Sequence, residues 1–213
     1  LNIVFEKEVE DKQLDNLKVL GIDRGIKNIA TLSDGTIYSG ERIFKIKKRY
    51  QTIRTKLQSN GSKSAKRHLR TLSMKENRFV TDANHCISKD IVKRCNLGTI
   101  IVLEKLTNIR ENSRKIRKAE RAKINSWSFY QLEQFLKYKA LAKGCGVQYV
   151  DSRYTSQKCS CCGHIYRGNR KTQEHFKCAK CGYENNADLN AALNIANNFR
   201  ASVNKPIVAG SNA

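Results

Sequence analysis

The chain has 213 residues, with 41 lysines and arginines against 19 aspartates and glutamates, and a formal net charge of +22. A positive charge of this size exceeds what solubility requires and favours a polyanionic partner, of which nucleic acid is the usual one. The length suits one α/β core with a small metal-binding module, and no apolar run approaches the roughly 20 residues of a membrane span.

The order of predicted elements is three strands, helices, a strand, helices, a strand and a last helix. Strands are predicted at residues 17–23, 28–33, 36–38, 99–104 and 147–150, and helices at 44–57, 63–95, 112–125, 127–142 and 187–199. The first three strands form a meander, because Asp34-Gly35 is a favoured hairpin turn. The two long helices are separated near Ser59-Asn60-Gly61, a typical break.

Basic side chains concentrate in two segments, residues 41–96 and 110–123, where acids are scarce. Solvated helix faces and contact with an anionic membrane surface are the alternative explanations. Nucleic acid is favoured, because arginine forks match phosphate geometry, acids for i,i+4 helical pairs are few, and no wide apolar helix face accompanies the charge. The predicted nucleic-acid contacts are Lys47, Lys48, Arg49, Arg54, Lys66, Arg67, Arg70, Arg114, Lys115, Arg117 and Arg121.

Two Cys-x-x-Cys pairs, Cys159/Cys162 and Cys178/Cys181, are separated by 15 residues. This spacing is typical of a structural Zn²⁺ site, in which two intervening residues let one tight turn offer both thiolates of a pair. A disulfide framework is the alternative. It is disfavoured because the first residues lack the basic and apolar regions of a secretory signal peptide. The pattern therefore predicts a four-cysteine zinc ribbon.

Cys161 lies inside the first pair, but its spacing does not fit the two-residue gap, so it is expected to stay outside the metal shell. Residues 164–166 and 175–177, between the pairs, are expected to form the short hairpin of the ribbon. The remaining cysteines, Cys86, Cys95 and Cys145, are expected to be buried thiols.

Three acids are placed where an α/β fold would bring them together. The element order is that of the ribonuclease H-like fold, in which the first and fourth strands are parallel neighbours. Asp23 and Glu104 each end one of these strands, at the sheet edge where open α/β sheets bind ligands. Asp188 begins the last helix and can approach the same point. Each acid alone is also consistent with an ordinary turn cap.

Four segments carry a resemblance to a known family. They are GIDRGIKN with Ala30-Thr31, then IVLE ending at Glu104, TSQ at 155–157 before the ribbon, and NAD ending at Asp188 after it. These segments resemble the three RuvC motifs of TnpB, the transposon-associated RNA-guided endonucleases related to type V CRISPR effectors. The resemblance extends from about residue 17 to residue 198. It implies that Asp23, Glu104 and Asp188 are the catalytic acids, and that guide RNA is bound by upstream regions that this sequence lacks.

The resulting fold prediction is a ribonuclease H-like (RuvC) α/β core with a basic helical insertion and an inserted zinc ribbon. The domain prediction is an upstream remnant at 1–16, a nuclease core at 17–154 with its basic insertion at 41–96, the ribbon at 155–185, the last RuvC helix at 186–200 and a tail at 201–213. Localisation is expected to be cytoplasmic, in a prokaryote and near the nucleoid.

The predicted function is metal-dependent DNA cleavage in a transposable element. Carboxylates suit Mg²⁺ or Mn²⁺. Two such ions about 4 Å apart, with Asp23 bridging them, would activate water and stabilise the leaving oxygen. The expected partners are single-stranded or displaced DNA and, for a full-length chain, guide RNA. Two alternatives remain: a non-cleaving or truncated nucleic-acid-binding form that acts in transposition or its regulation, and a zinc-ribbon accessory factor.

Overall fold

The computed structural model describes residues 18–106, 128–172 and 174–204, which form a mixed α/β fold. Its elements are β1 (Val19–Asp23), β2 (Asn28–Leu32), β3 (Ile37–Ser39), α1 (Glu41–Asn60), α2 (Lys63–Arg94), β4 (Ile100–Glu104), α3 (Phe129–Ala142), β5 (Gly146–Val150), β6 (His175–Lys177), β7 (Glu184–Asn186) and α4 (Ala187–Val203). Apart from residues 112–125, each predicted strand and helix is found within a few residues of its expected place. The predicted helix 112–125, the segment 1–16 that was predicted to be an upstream remnant, and residues 205–213 of the predicted tail lie outside the described residues.

The main sheet has five strands in the order β3-β2-β1-β4-β5. β1 is antiparallel to β2 and parallel to β4, and β4 is parallel to β5. The register pairs Ile22 with Leu103. Asp23 and Glu104 each follow by one residue, so both lie at the carboxyl edge of the sheet.

Helices cover both faces of this sheet, and side-chain alternation decides which residues each helix meets. Ile101 and Leu103 of β4 belong to a cluster with buried residues of α2 and α3. Val102, between them, packs instead with Ile195 of α4. Glu104 has the same parity as Val102, so the strand directs this acid toward the α4 side.

Gly21 allows α4 to approach β1 closely. A Cβ at this position would lie 2.3 Å from the carbonyl oxygen of Ala192 and 2.7 Å from the amide nitrogen of Ala196. Both distances are impossible for a real side chain, so glycine is required while the helix packs this closely. Asp23 lies two residues after Gly21, and Asp188 lies one helical turn before Ala192. The close approach therefore brings strand-borne and helix-borne acids to one edge.

The basic segment folds as a helical hairpin of α1 and α2. Gly61 ends α1 in the left-handed conformation, with φ of 67°, and the Ser62 side chain caps α2 by accepting from the Ala65 amide at 3.1 Å. These two residues fix the predicted break between the helices. The far half of α2 returns to the core through Ile91 and Val92, which are buried. No helix in the described ranges combines the length and apolar character that crossing a bilayer demands.

The pairing predicted inside the ribbon is wrong. β6 pairs antiparallel with β7 across the second cysteine pair, and not with residues 164–166. Ile165 instead makes an isolated bridge with Lys158 across the first pair. Each Cys-x-x-Cys turn thus folds the chain back on itself, and such local pairing closes a shorter loop than the expected hairpin.

Candidate active site and metal centre

Asp23 and Glu104 lie side by side at the carboxyl edge of the sheet, close enough that each affects the pKa of the other. The pKa of Asp23 is well above its usual value, chiefly because burial penalises its charge and secondarily because Glu104 and Asp188 are close. Burial likewise raises the pKa of Glu104. The repulsion felt by Asp23 therefore comes from both other predicted acids, so all three share one electrostatic site.

Asp188 is fixed in the first turn of α4 from three directions. The Asn186 side chain caps the helix by accepting from the amide of Asp188 at 3.0 Å. Asn28 donates to Asp188 Oδ2 at 2.9 Å, and Arg170 donates to Oδ1 at 2.9 Å. Asp188 is buried, and these two donors and the capped helix turn fix the position of its carboxylate.

Asn28 and Arg170 were missed as site residues by the sequence prediction. Asn28 belongs to the GIDRGIKN segment, where it carried no assigned role. Arg170 is one of several basic residues between the cysteine pairs, and nothing in its neighbours distinguishes it. Its guanidinium opposes the rise in the pKa of Asp23, which places positive charge beside two of the three acids.

The four predicted metal ligands come together. Within the described residues, Cys159, Cys162, Cys178 and Cys181 form a group of possible ligands whose atoms all lie within 4.8 Å of one another. The sulfur atoms of Cys159 and Cys181 are 3.7 Å apart, and those of Cys162 and Cys178 are 3.6 Å apart. A tetrahedral ion with metal–sulfur bonds of about 2.3 Å requires sulfur separations of about 3.8 Å. The cluster therefore fits a metal ion and is compatible with a zinc ribbon.

The three acids are not grouped as the cysteines are. Among the described residues, the four cysteines form the group of three or more possible metal ligands, and the acids do not form another. Cys161 is exposed and lies outside the cysteine group, as its spacing predicted. Of the other thiols, Cys95 and Cys145 are buried, but Cys86 is exposed, so its predicted burial is wrong. Cys86 lies on the solvent side of α2, whose face the apolar pattern alone did not resolve.

Asparagines connect the cysteine cluster to α4. Asn190 accepts from the Ser160 amide at 3.0 Å and donates to the Lys158 carbonyl at 2.9 Å. Asn194, one turn later, donates to the carbonyls of Thr155 and Lys158 at 2.9 and 2.6 Å. Both asparagines are fully buried. The first cysteine turn is thereby held against the helix that carries Asp188.

A further asparagine connects the two cysteine turns to each other. Asn169 is fully buried; it donates to the carbonyls of Gln157 and His164 at 3.0 and 3.3 Å and accepts from the Ala179 amide at 2.9 Å. Gln157 and His164 flank the first pair, whereas Ala179 lies inside the second. One amide side chain thus joins both halves of the cluster.

The predicted nucleic-acid contacts on the hairpin fall into two groups. Lys48, Arg49, Lys66, Arg67 and Arg70 are exposed. Lys47 and Arg54 are partly buried and line a cleft of about 490 Å³ between the hairpin and the start of α3. Arg54 pairs there with Glu76, and burial lowers the pKa of Lys47. The predicted contacts outside the described residues are Arg114, Lys115, Arg117 and Arg121.

Comparison with known proteins identifies the family. A family model described as a probable transposase (OrfB_IS605) matches residues 2–110, and a model described as Cas12f1-like, TNB domain, matches residues 129–195. The TnpB-like protein MJ0751 of Methanocaldococcus jannaschii is 32% identical over 91% of this chain and 72% of that protein. This chain belongs to the TnpB-like family.

Other relatives carry more specific names. The CRISPR-associated endodeoxyribonuclease Cas12f1 of Sulfoacidibacillus thermotolerans is 34% identical over 92% of this chain and 49% of its own length. The putative RNA-guided DNA endonuclease InsQ of Escherichia coli K12 is 30% identical over 92% of this chain and 52% of its own. This TnpB-like chain spans about half the length of both relatives.

The fold is also found in a solved structure. The Cas12f1 chain in the cryo-EM structure of a Cas12f1–sgRNA–target DNA complex superposes with a TM-score of 0.65 at 23% identity, covering 84% of this chain and 49% of that one. At this identity the match establishes a shared α/β fold. This chain and that Cas12f1 chain therefore have this architecture in common.

Proposed function

We propose that this chain is the ribonuclease H-like (RuvC) nuclease part of a metal-dependent DNA endonuclease. The observation that carries the proposal is the convergence of Asp23, Glu104 and Asp188 from β1, β4 and α4 at one edge of the sheet. The strand order is β3-β2-β1-β4-β5, and β2 is the one strand of this sheet that runs antiparallel to the others. Ribonuclease H-like sheets have this order. The relatives named as endonucleases support the same activity.

Asp23, Glu104 and Asp188 are the residues that would hold Mg²⁺ or Mn²⁺. Carboxylate oxygens are the ligands these hard cations prefer, and the burial of Glu104 and Asp188 limits competition from water. When bound, such ions activate a water molecule and stabilise the leaving oxygen of a phosphodiester. The protein contributes the fixed positions of the acids through β1, β4 and the capped first turn of α4, and Arg170 contributes positive charge where a phosphate would approach.

The cysteine cluster has a structural role in this proposal, with Zn²⁺ as its ion. Four thiolates close a tetrahedral shell and leave no position for substrate. The cluster is bonded to α4 through Asn190 and Asn194. Zinc would therefore support the position of Asp188 without taking part in the reaction.

DNA is the proposed substrate and guide RNA the proposed second partner, as the names of the relatives state for them. The exposed basic residues of α1 and α2 are the proposed phosphate contacts, which bind without reading sequence. Guide binding is proposed for a chain of the relatives' full length, because this chain spans about half of it.

The test is cleavage of single-stranded DNA with Mg²⁺, Mn²⁺ or EDTA, comparing the parent chain with Asp23→Asn, Glu104→Gln and Asp188→Asn. Asp34→Asn is the matched control, because Asp34 lies in the exposed turn between β2 and β3, at the opposite edge of the sheet. We expect metal-dependent cutting by the parent and the control, and a loss of about 100-fold or more in the three site variants. Equal cutting by Asp23→Asn would refute the assignment.

A second candidate function is nucleic-acid binding without cleavage. The observation in its favour is that Arg170 already pairs with Asp188, so that a cation would have to compete with this guanidinium for the carboxylate. A folded, zinc-loaded sample that binds DNA but shows no cutting with either metal would support this function and exclude the first.

A further inference from the structure

Arg24, the residue after Asp23, is fully buried, which is unusual for a charged side chain. Its side chain is 0% exposed. Nη1 donates to Glu133 Oε2 of α3 at 2.9 Å, and Nη2 donates to the main-chain oxygen of Glu104 at 2.7 Å. A buried guanidinium is costly unless it is paired and hydrogen-bonded in this way. The fork therefore connects the end of β1, the end of β4 and α3.

Glu133 extends this connection to β5. Its second oxygen, Oε1, accepts from the phenol of Tyr149 at 2.7 Å and lies 3.4 Å from Lys137 Nζ. We call Arg24, Glu133 and Tyr149 the Arg24 network. It ties together the carboxyl ends of the three parallel strands on the side of the sheet that α3 covers.

The geometry excludes a direct role for Arg24 with a phosphate. Both terminal nitrogens are used inward, and the remaining Nε is buried without a hydrogen-bond partner among the described residues. A phosphate contact would need the side chain to leave Glu133 and the Glu104 carbonyl. That departure would leave the Glu133 carboxylate without its arginine partner.

We propose that Arg24 is a positioning residue that holds the end of β4, and with it Glu104, at a fixed place beside Asp23. The proposal rests on the proposed nuclease function only in assigning Glu104 to metal binding. The fork supplies two directed bonds from one planar group, which a lysine cannot reproduce. Arg24→Lys therefore keeps the charge and loses one of the two attachments.

Three measurements on the folded chain test this inference. They are Mn²⁺ affinity, from the electron paramagnetic resonance signal of free Mn²⁺; affinity for single-stranded DNA in EDTA; and hydrogen exchange at the Lys105 amide. The Lys105 amide donates to the Val150 carbonyl at 3.0 Å, directly after β4. The control is Arg94→Lys, which alters an exposed arginine–aspartate pair at the end of α2.

For Arg24→Lys we expect Mn²⁺ affinity to fall about tenfold or more, as is typical when a residue that orients a metal ligand is changed. Exchange at Lys105 should become at least several-fold faster, while DNA affinity in EDTA stays within about twofold. Glu133→Gln, which keeps the shape and one acceptor, should change the same quantities in the same direction and provides the test if Arg24→Lys does not fold. Arg94→Lys should change none of them.

Two results would overturn the inference. One is a loss of DNA affinity in Arg24→Lys with Mn²⁺ affinity unchanged, which would make Arg24 a phosphate ligand. The other is unchanged protection at Lys105. If Asp23→Asn binds Mn²⁺ as tightly as the parent does, the assignment of the proposed nuclease site is refuted. Hydrogen exchange at the Lys105 amide still decides whether Arg24 holds the end of β4.

Discussion

Replacing Asn169 by alanine should weaken metal binding by the cysteine cluster. Asn169 makes three hydrogen bonds that join the first cysteine turn to the second, at 3.0, 3.3 and 2.9 Å. The Ala179 residue that donates one of them is exposed, so water can take over that bond. Counting about 1 kcal/mol for each bond, the expected loss is about 2–3 kcal/mol. If it appears wholly in metal binding, affinity falls about 30- to 150-fold.

The assay is competition for Zn²⁺ between the chain and a chromophoric chelator at fixed pH. Asn197→Ala is the matched control, because Asn197 is the same residue type on α4 and bonds only weakly, accepting from Arg200 at 3.3 Å on the surface. We expect this control to stay within about 0.5 kcal/mol of the parent. An affinity of Asn169→Ala for Zn²⁺ within threefold of the parent would contradict this expectation, because the two turns would then hold their geometry without this side chain.

Three other changes test separate parts of the structure. Cys162→Ser should abolish stoichiometric metal binding and Cys161→Ser should leave it intact, as measured by metal content after dialysis; the reverse result would move the ligand register by one residue. Gly21→Ala should lower the free energy of unfolding in urea by about 2 kcal/mol or more, because its Cβ would meet the Ala192 carbonyl; an unchanged midpoint would contradict the close packing of α4. Changing Lys66, Arg67 and Arg70 together to glutamine should reduce the slope of log affinity for single-stranded DNA against log salt by about 2, whereas the same change at Lys89 and Lys93 should not.

The sheet was predictable because its signals are local. Residues 17–23 and 99–104 are each an apolar run ending in an acid, and the intervening Asp34-Gly35 turn fixes the meander. Parallel pairing of β1 with β4 then follows from element order, and with it the neighbourhood of Asp23 and Glu104. The grouping of the four cysteines was predictable for the same reason, because the spacing within and between the two Cys-x-x-Cys pairs is a local feature of the sequence.

Side chains that act across long sequence separations were not predictable. Arg170 donates to Asp188 from 18 positions away in the chain, and Asn28 donates to it from 160 positions away. Neither hydrogen bond leaves a recognisable pattern in the sequence around these residues. The ribbon hairpin was assigned wrongly because residues 164–166 and β7 both lie within a short loop of β6, and the loop to β7 is the shorter of the two. One available signal was missed: Asn186, Asn190, Asn194 and Asn198 recur every four residues, which marks one polar face along α4.

Through that row of asparagines, α4 contacts the first cysteine turn, and this contact should respond to salt differently from the charged surface of the protein. Uncharged amide groups form the contacts of Asn190 and Asn194 with the first cysteine turn, and these groups are buried. Mobile ions screen exposed charges strongly and buried neutral hydrogen bonds hardly at all. Rising ionic strength should therefore weaken binding of the proposed nucleic-acid partner to a protein with a net charge of +22, while α4 and the cysteine cluster stay attached. Purification in concentrated salt should then yield a chain freed of bound nucleic acid in which Asp188 keeps its place.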